Sequence, residues 1–167
     1  KELKSMIDAP LGDRSQWKAR WPKVTDYSVP IGKGKVVREG AQATVVSYGR
    51  MLPLCLEAAQ KLSQEGLDIE VIDLRSLYPY DWNLIKNSIS KTKRVLFVNE
   101  DTEITNFGEH LLRRTIEELF YHLEAKPRLL AGKHLPGIGL HPVLEDNSVP
   151  QLHDIIHELK ELCSEVP

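Results

Sequence analysis

Three short apolar runs, evenly spaced, restrict the fold more than anything else in this chain. "ATVVSY" (43–48), "DIEVIDL" (68–74) and "RVLFVNE" (94–100) centre on Val45, Val71 and Leu96, 26 and 25 residues apart. That is the pitch of successive βα units, because a helix must cross over before the next strand can lie parallel to the last. Apolar runs in place of clean alternation mean that both sheet faces are covered. The expectation is an α/β domain, a three-layer αβα sandwich with a mostly parallel sheet.

The intervening segments agree. After the turn at Gly49-Arg50, Met51, Leu54, Cys55, Ala58, Ala59 and Leu62 recur on one helical face, and Gly66 marks its end. Pro79 breaks the chain, and Asp81 is a fitting N-cap for "WNLIKNSISK". A loop, "EDTEITNFGEH", leads to a helix with Leu111, Leu112, Thr115, Ile116, Leu119 and Phe120 inward. "PRLLAG" is a fourth strand. Ser148 is expected to cap a last helix, with Pro150 in its first turn and a stripe of Leu152, Ile155, Ile156, Leu159 and Leu162.

Residues 1–40 read differently. They have no helical or strand period, yet hold Trp17, Trp21 and Tyr27. Aromatics of that size are not left in water, so the segment is expected to lie along another surface. The domain division is therefore an extended interface segment, 1–40, ahead of an α/β domain, 41–167. The chain starts at Lys1 without an initiator Met and is expected to be a piece, or a processed product, of a longer chain.

Charge narrows the functions. Residues 1–40 carry nine Lys/Arg against five Asp/Glu, and the remainder is acidic, for a net charge of -2. A nucleic-acid binder would concentrate basic charge on its folded part. No apolar run approaches the ~18 residues of a membrane span. Cys55 and Cys163 fall on apolar helix faces with no CxxC pair, so both are read as reduced thiols in a cytoplasmic or similarly reducing compartment.

A search for chemistry yields little. A phosphate loop needs several glycines, and "SYGRML" has one; its turn can still set Arg50 at a helix start beside an anion. Glu100, Asp101 and Glu103, with His110 beyond them, lie where a strand ends, the usual ligand end of an open α/β sheet. Paired carboxylates serve acid/base work or hold a hard cation, but solvated or inter-subunit charge is the plainer reading. His153 and His157 share a helix face without the HExxH pattern of a zinc site. No GxSxG elbow occurs. No catalytic, cofactor-binding or metal-ligating residue is assigned.

Several stretches together resemble one family. "VPIGKGKVVREG", "VSYGRM", "EGLDIEVIDLRSLYPYD", "KTKRVLFVNED" and "LEDNSVPQLHDIIHELK" are similar to the C-terminal domain of the beta subunit of thiamine-diphosphate-dependent 2-oxo acid dehydrogenases, of the pyruvate and branched-chain type. More broadly this is the transketolase C-terminal domain, and the resemblance covers roughly residues 28–163. It implies that thiamine diphosphate and Mg²⁺ belong to other domains of a longer enzyme, none of whose motifs is present here. It implies a domain that buries subunit interface against alpha and beta subunits and the cofactor-binding domains. It also implies docking of the acyltransferase's peripheral subunit-binding domain, with Glu124 of "HLEAKP" as the acid that receives a partner arginine. By the same resemblance Arg50 and Arg75, in "YGR" and "DLR", make structural or inter-subunit ion pairs, and Asp101, Phe107 and Gly108 have an interface or structural role.

The leading expectation is thus an assembly domain of an oxidoreductase, inactive by itself and forming a homo-oligomer. Two alternatives stay open: a regulatory domain holding a small anion at Gly49-Arg50 or near Asp101, and the equivalent domain of transketolase or deoxyxylulose-phosphate synthase.

Overall fold

The structure, a computed structural model, describes residues 28–139 and 141–166. Trp17, Trp21 and Tyr27 lie outside the described residues. The elements are β1 (Lys35–Arg38), β2 (Ala43–Ser47), α1 (Met51–Gln64), β3 (Ile69–Asp73), α2 (Trp82–Thr92), β4 (Val95–Thr102), α3 (Phe107–Leu119), β5 (Arg128–Gly132), α4 (Pro142–Asp146) and α5 (Leu152–Ser164).

These strands form one five-stranded sheet in the order β1-β3-β2-β4-β5. β2, β3, β4 and β5 are parallel, and β1 runs antiparallel to β3 with Lys35 opposite Asp73. The chain steps from β2 to β3 on one side, then jumps back over β2 to β4. Right-handed crossovers then force α1 and α2 onto opposite faces. Two cores result. Val45, Val71, Leu96 and Val98 pack under α1 and α5, while Val46, Ile72 and Phe97 pack under α2 and α3. Alternate residues of each strand thus serve different cores, which is why the runs are apolar throughout. The three-layer, mostly parallel sandwich is as expected.

Local differences have local causes. "KVVR", read as part of the segment before the domain, is the edge strand β1, with a bulge between Val36 and Arg38. Its charged ends and bulge discourage edge-to-edge pairing. Ser148 does not cap the last helix: its hydroxyl donates to the Leu144 carbonyl at the end of α4. The cap is Gln151, whose backbone N–H donates to Asp154 in a capping box, so Pro150 precedes the cap. Ile116 and Phe120, expected inward, are exposed: Ile116 lies beside the buried Leu111, Thr115 and Leu119 stripe of α3, and Phe120 falls in the 3₁₀ turn Phe120–His122, where the helical period ends. Asp81 caps α2 as expected, accepting from the Leu84 N–H at 3.3 Å.

Candidate functional site

Parallel α/β sheets bind ligands at the carboxyl ends of their strands, where the strand order reverses. Here that point lies between β2 and β4. Two segments singled out in the sequence, Gly49-Arg50 and Glu100-Asp101, meet there. Gly49 takes φ +60°, the left-handed conformation a glycine adopts without strain, and so turns β2 directly into α1. Arg50 occupies the N-cap of α1 with no side-chain cap bond.

The guanidinium of Arg50 sits between two carboxylates. Its Nη1 is 3.6 Å from Glu100 Oε2 on β4 and 3.6 Å from Glu145 Oε1 on α4. Those distances give Coulombic attraction without a hydrogen bond. Arg50 Nη1 and Glu100 Oε2 are both buried and have no hydrogen-bond partner among the described residues. The crevice is filled by this ion group, and an anion entering it would face two carboxylates. Beside it, burial first and then the charges of Asp101 and Glu100 push the Tyr48 hydroxyl pKa up. Asp101 itself is exposed and accepts the neighbouring Thr102 N–H at 2.8 Å.

Phe107 and Gly108 open α3. Phe107 packs edge-on to Tyr80, with ring centroids 5.2 Å apart, and to Tyr48 at 6.4 Å. Gly108 leaves no room for a side chain: a Cβ would lie 2.4 Å from Leu129 Cδ1 and 2.7 Å from Asn99 Nδ2. Asn106 caps the helix by accepting the Glu109 N–H at 3.0 Å. The tight fit of this pair is therefore within the chain. Next to it lies a cluster that sequence reasoning missed. The Tyr80 hydroxyl is 2.7 Å from His110 Nε2 and accepts from Arg114 Nη1 at 2.7 Å. Arg114 lies over the Trp82 ring, 4.4 Å from its centroid, and Trp82 Nε1 donates to Glu118 at 2.9 Å. Hydrogen bonds from Arg114, Trp82 and Lys86 pull the Glu118 pKa down to about 2. The spacing of Arg114 and Glu118 was the only available signal, an i, i+4 pair.

Arg75 follows β3 at the same end of the sheet, exposed, with φ +57° and its N–H donating to Asp73 Oδ1 at 3.1 Å. It makes no ion pair among the described residues. Burial raises the Asp73 pKa, against the lowering pull of the Arg75 N–H and the Arg75 and Lys35 charges.

Glu124 lies at the opposite, amino end of the sheet. Both its oxygens are engaged within the chain, by Lys93 Nζ at 2.6 Å and Arg94 Nη1 at 2.9 Å. Those cations hold its pKa below the usual range, the Lys93 hydrogen bond foremost. Arg128 links the same end to α5, donating to Glu158 at 3.0 Å and pairing with Glu165. His153 makes an ion-pair contact with its neighbour Asp154 at 3.3 Å. No group of three or more metal-ligand side chains occurs among the described residues.

Comparison with known proteins adds an independent line. A family model described as "Transketolase, C-terminal domain" matches residues 32–155. The chain is 36% identical over 139 residues to "Pyruvate dehydrogenase E1 component subunit beta-2, mitochondrial" of Oryza sativa subsp. japonica, covering 83% of this chain and 37% of that protein. It is 40% identical over 136 residues to "Pyruvate dehydrogenase E1 component subunit beta, mitochondrial" of Mus musculus, covering 81% and 38%. The bacterial "Pyruvate dehydrogenase E1 component subunit beta" of Rhizobium meliloti (strain 1021) is 32% identical over 142 residues, covering 85% and 31%. The chain thus spans about a third of the length of the curated relatives it matches. Among solved structures it is similar to "Split gene transketolase, inactive beta4 tetramer", with a TM-score of 0.74 and 26% identity over 87% of this chain and 48% of that one.

Proposed function

Since the chain belongs to the transketolase C-terminal domain family, we propose that it serves as the assembly domain of the beta chain of a 2-oxo acid dehydrogenase's decarboxylating component. The longer enzyme would decarboxylate pyruvate or a branched-chain 2-oxo acid on thiamine diphosphate and pass the acyl group to lipoamide. This domain's part is to bury surface against the cofactor-binding domains and the alpha and beta subunits. The relatives' names support the beta-chain assignment.

One observation carries the assembly role. Large apolar side chains stand exposed on successive loops around the carboxyl end of the sheet: Ile31 before β1, Tyr78 after β3, Ile104 after β4, Leu135 after β5 and Leu144 on α4. Tyr78 is 96% exposed and Ile31 83%. Apolar area of that kind marks a surface that another chain or domain covers; Phe120, Tyr121 and Val166 are exposed toward the other end of the sheet as well. Thiamine diphosphate does not fit the crevice at its centre, because Glu100 and Glu145 flank Arg50, where a diphosphate would have to sit.

No helix among the described residues is long and apolar enough to cross a membrane. Cys55 and Cys163 are free thiols, and burial pushes Cys55 up to about 12, in keeping with a reducing compartment such as the cytoplasm. Calorimetric titration of the chain with thiamine diphosphate and Mg²⁺ tests the reading. The expected result is no saturable heat. Tight binding by this chain alone would overturn it.

A further inference from the structure

The sheet has two edge strands, and they differ. β1 carries charges at both ends and a bulge, the usual guards of an open edge. β5 has no such guard. Its register with β4 is regular from Arg128 to Leu130, and its one charged side chain, Arg128, is turned aside onto Glu158 and Glu165. The outward backbone groups from Arg128 to Ala131 meet no partner among the described residues. Only past the strand does the Lys133 N–H donate to the Ser148 carbonyl, at 2.9 Å.

A cavity flanks this edge on each face of the sheet. On the α3 side an open cleft of about 650 Å³ has Leu112 and Leu129 in its wall. On the α5 side a cavity of about 510 Å³ is walled by Leu130, Ala131, the turn before α5 and the start of that helix. Its charged groups are unevenly engaged. Asp154 is taken up by the Gln151 N–H and by His153. Lys133 is exposed and makes no ion pair among the described residues, and the free N–H groups of α5's first turn add positive potential. Against these stands one acid without a partner among the described residues, Asp146.

Leu129 packs against the core under α2 and α3, and Leu130 against the core under α1 and α5. A strand laid along β5 inherits that alternation and sends its side chains by turns into the two cavities. We propose that the open edge of β5 receives an extended peptide segment of a partner protein, with an apolar side chain set in the cleft beside Leu112 and Leu129 and an acidic one near Lys133. Backbone pairing supplies affinity, and the alternate cavities supply specificity. The strand offers about 16 Å of edge at ~3.3 Å per residue. This site goes beyond the assembly reading and does not depend on it.

A capped peptide of about seven residues alternating valine and glutamate is the probe, long enough to span the edge. NMR titration of the intact chain is expected to show saturable shifts at Leu129–Ala131 and slowed exchange of their outward amides. N-methylation of alternate peptide residues, on the pairing side, should weaken binding about tenfold or more, because backbone hydrogen bonds are lost. A peptide of the same composition in two blocks should lose as much. Lys133→Glu should weaken the glutamate peptide about threefold and favour its lysine counterpart. A melting temperature equal to that of the unaltered chain shows that this variant is folded. No binding at millimolar peptide, shifts confined to another surface, or equal binding by the N-methylated or blocked peptide overturns the proposal. So does protection of the β5 amides that grows with protein concentration in the absence of peptide, since the occupant would then be a second copy.

Discussion

The two ends of the sheet treat their charges differently. At the amino end, Lys93, Arg94 and Arg128 meet Glu124, Glu158 and Glu165 at hydrogen-bond distance, and the Arg94 guanidinium also donates to the Glu165 carbonyl at 3.2 Å. At the carboxyl end, Arg50 stands off from both of its carboxylates at 3.6 Å. The amino end satisfies these charges with the chain's own residues, although Phe120 and Tyr121 stand exposed beside them. The carboxyl end is held in shape but left with free charge and apolar surface, as a docking face must be. The lesson is that an ion pair is not one thing: hydrogen-bond geometry separates those that close an end from those that only attract.

The largest expected effect probes what holds the carboxyl end rigid. A side chain at Gly108 would collide with Leu129 and the buried amide of Asn99. Gly108→Val should therefore destabilise the chain by about 2–3 kcal/mol, the usual cost of overpacking. Thermal unfolding measures it. A loss below about 0.5 kcal/mol would mean that α3 shifts freely, and that this end is softer than its packing suggests.

Next in size is a direct contrast of two arginines. Arg128→Met removes charge-assisted hydrogen bonds to Glu158 and Glu165 and should cost about 1–2 kcal/mol, discounted for partial exposure. Arg50→Met removes attraction but no hydrogen bond and should cost under about 1 kcal/mol in the chain alone. Denaturant titration of both variants ranks them, and the reverse order would erase the distinction between the ends.

Much of the fold was legible because it is local. A strand centred on Val45, Val71 or Leu96 is announced by its own residues, and the pitch between them fixes the crossovers. β1 was not, since "KVVR" becomes a strand only by pairing with β3, more than thirty residues on. Ser148 and Gln151 compete as caps, and only the reciprocal bond with Asp154 decides between them. The candidate site was half legible. Arg50 and Glu100 stand out as residues, but their meeting depends on the strand order, which reverses at β2. The Tyr80, His110 and Arg114 contacts, and the cations around Glu124, join elements thirty or so residues apart and leave no periodic trace.

Acid should weaken the amino end first. The Arg128 pair, with the Lys126 N–H, holds the Glu165 pKa below its usual value. A depressed carboxylate stabilises the fold above its unfolded pKa, about 4.3, and that contribution is lost as pH falls through the lower folded value. Asp73 at the other end has the opposite sign: its raised pKa makes the folded chain bind that proton more readily, so acid favours folding there. Melting temperature between about pH 5 and pH 3 should therefore fall less steeply in Glu165→Gln, and at least as steeply in Asp73→Asn, than in the unaltered chain. Equal slopes in all three would show that neither end governs acid stability.

The smallest effect concerns Glu124. If the acyltransferase's basic domain docks near it in the full enzyme, its carboxylate must exchange a bond with Lys93 or Arg94 for one with the incoming arginine. Those two cations remain beside the new one and repel it, so little free energy is gained. Glu124→Lys should weaken capture by no more than about threefold at low salt, and by nothing measurable once salt screens the surface. Equilibrium binding across a salt series reads this. A loss of tenfold or more would mean that Glu124 abandons its own cations to bind the partner, and that the amino end, like the carboxyl end, is built to be completed by another chain.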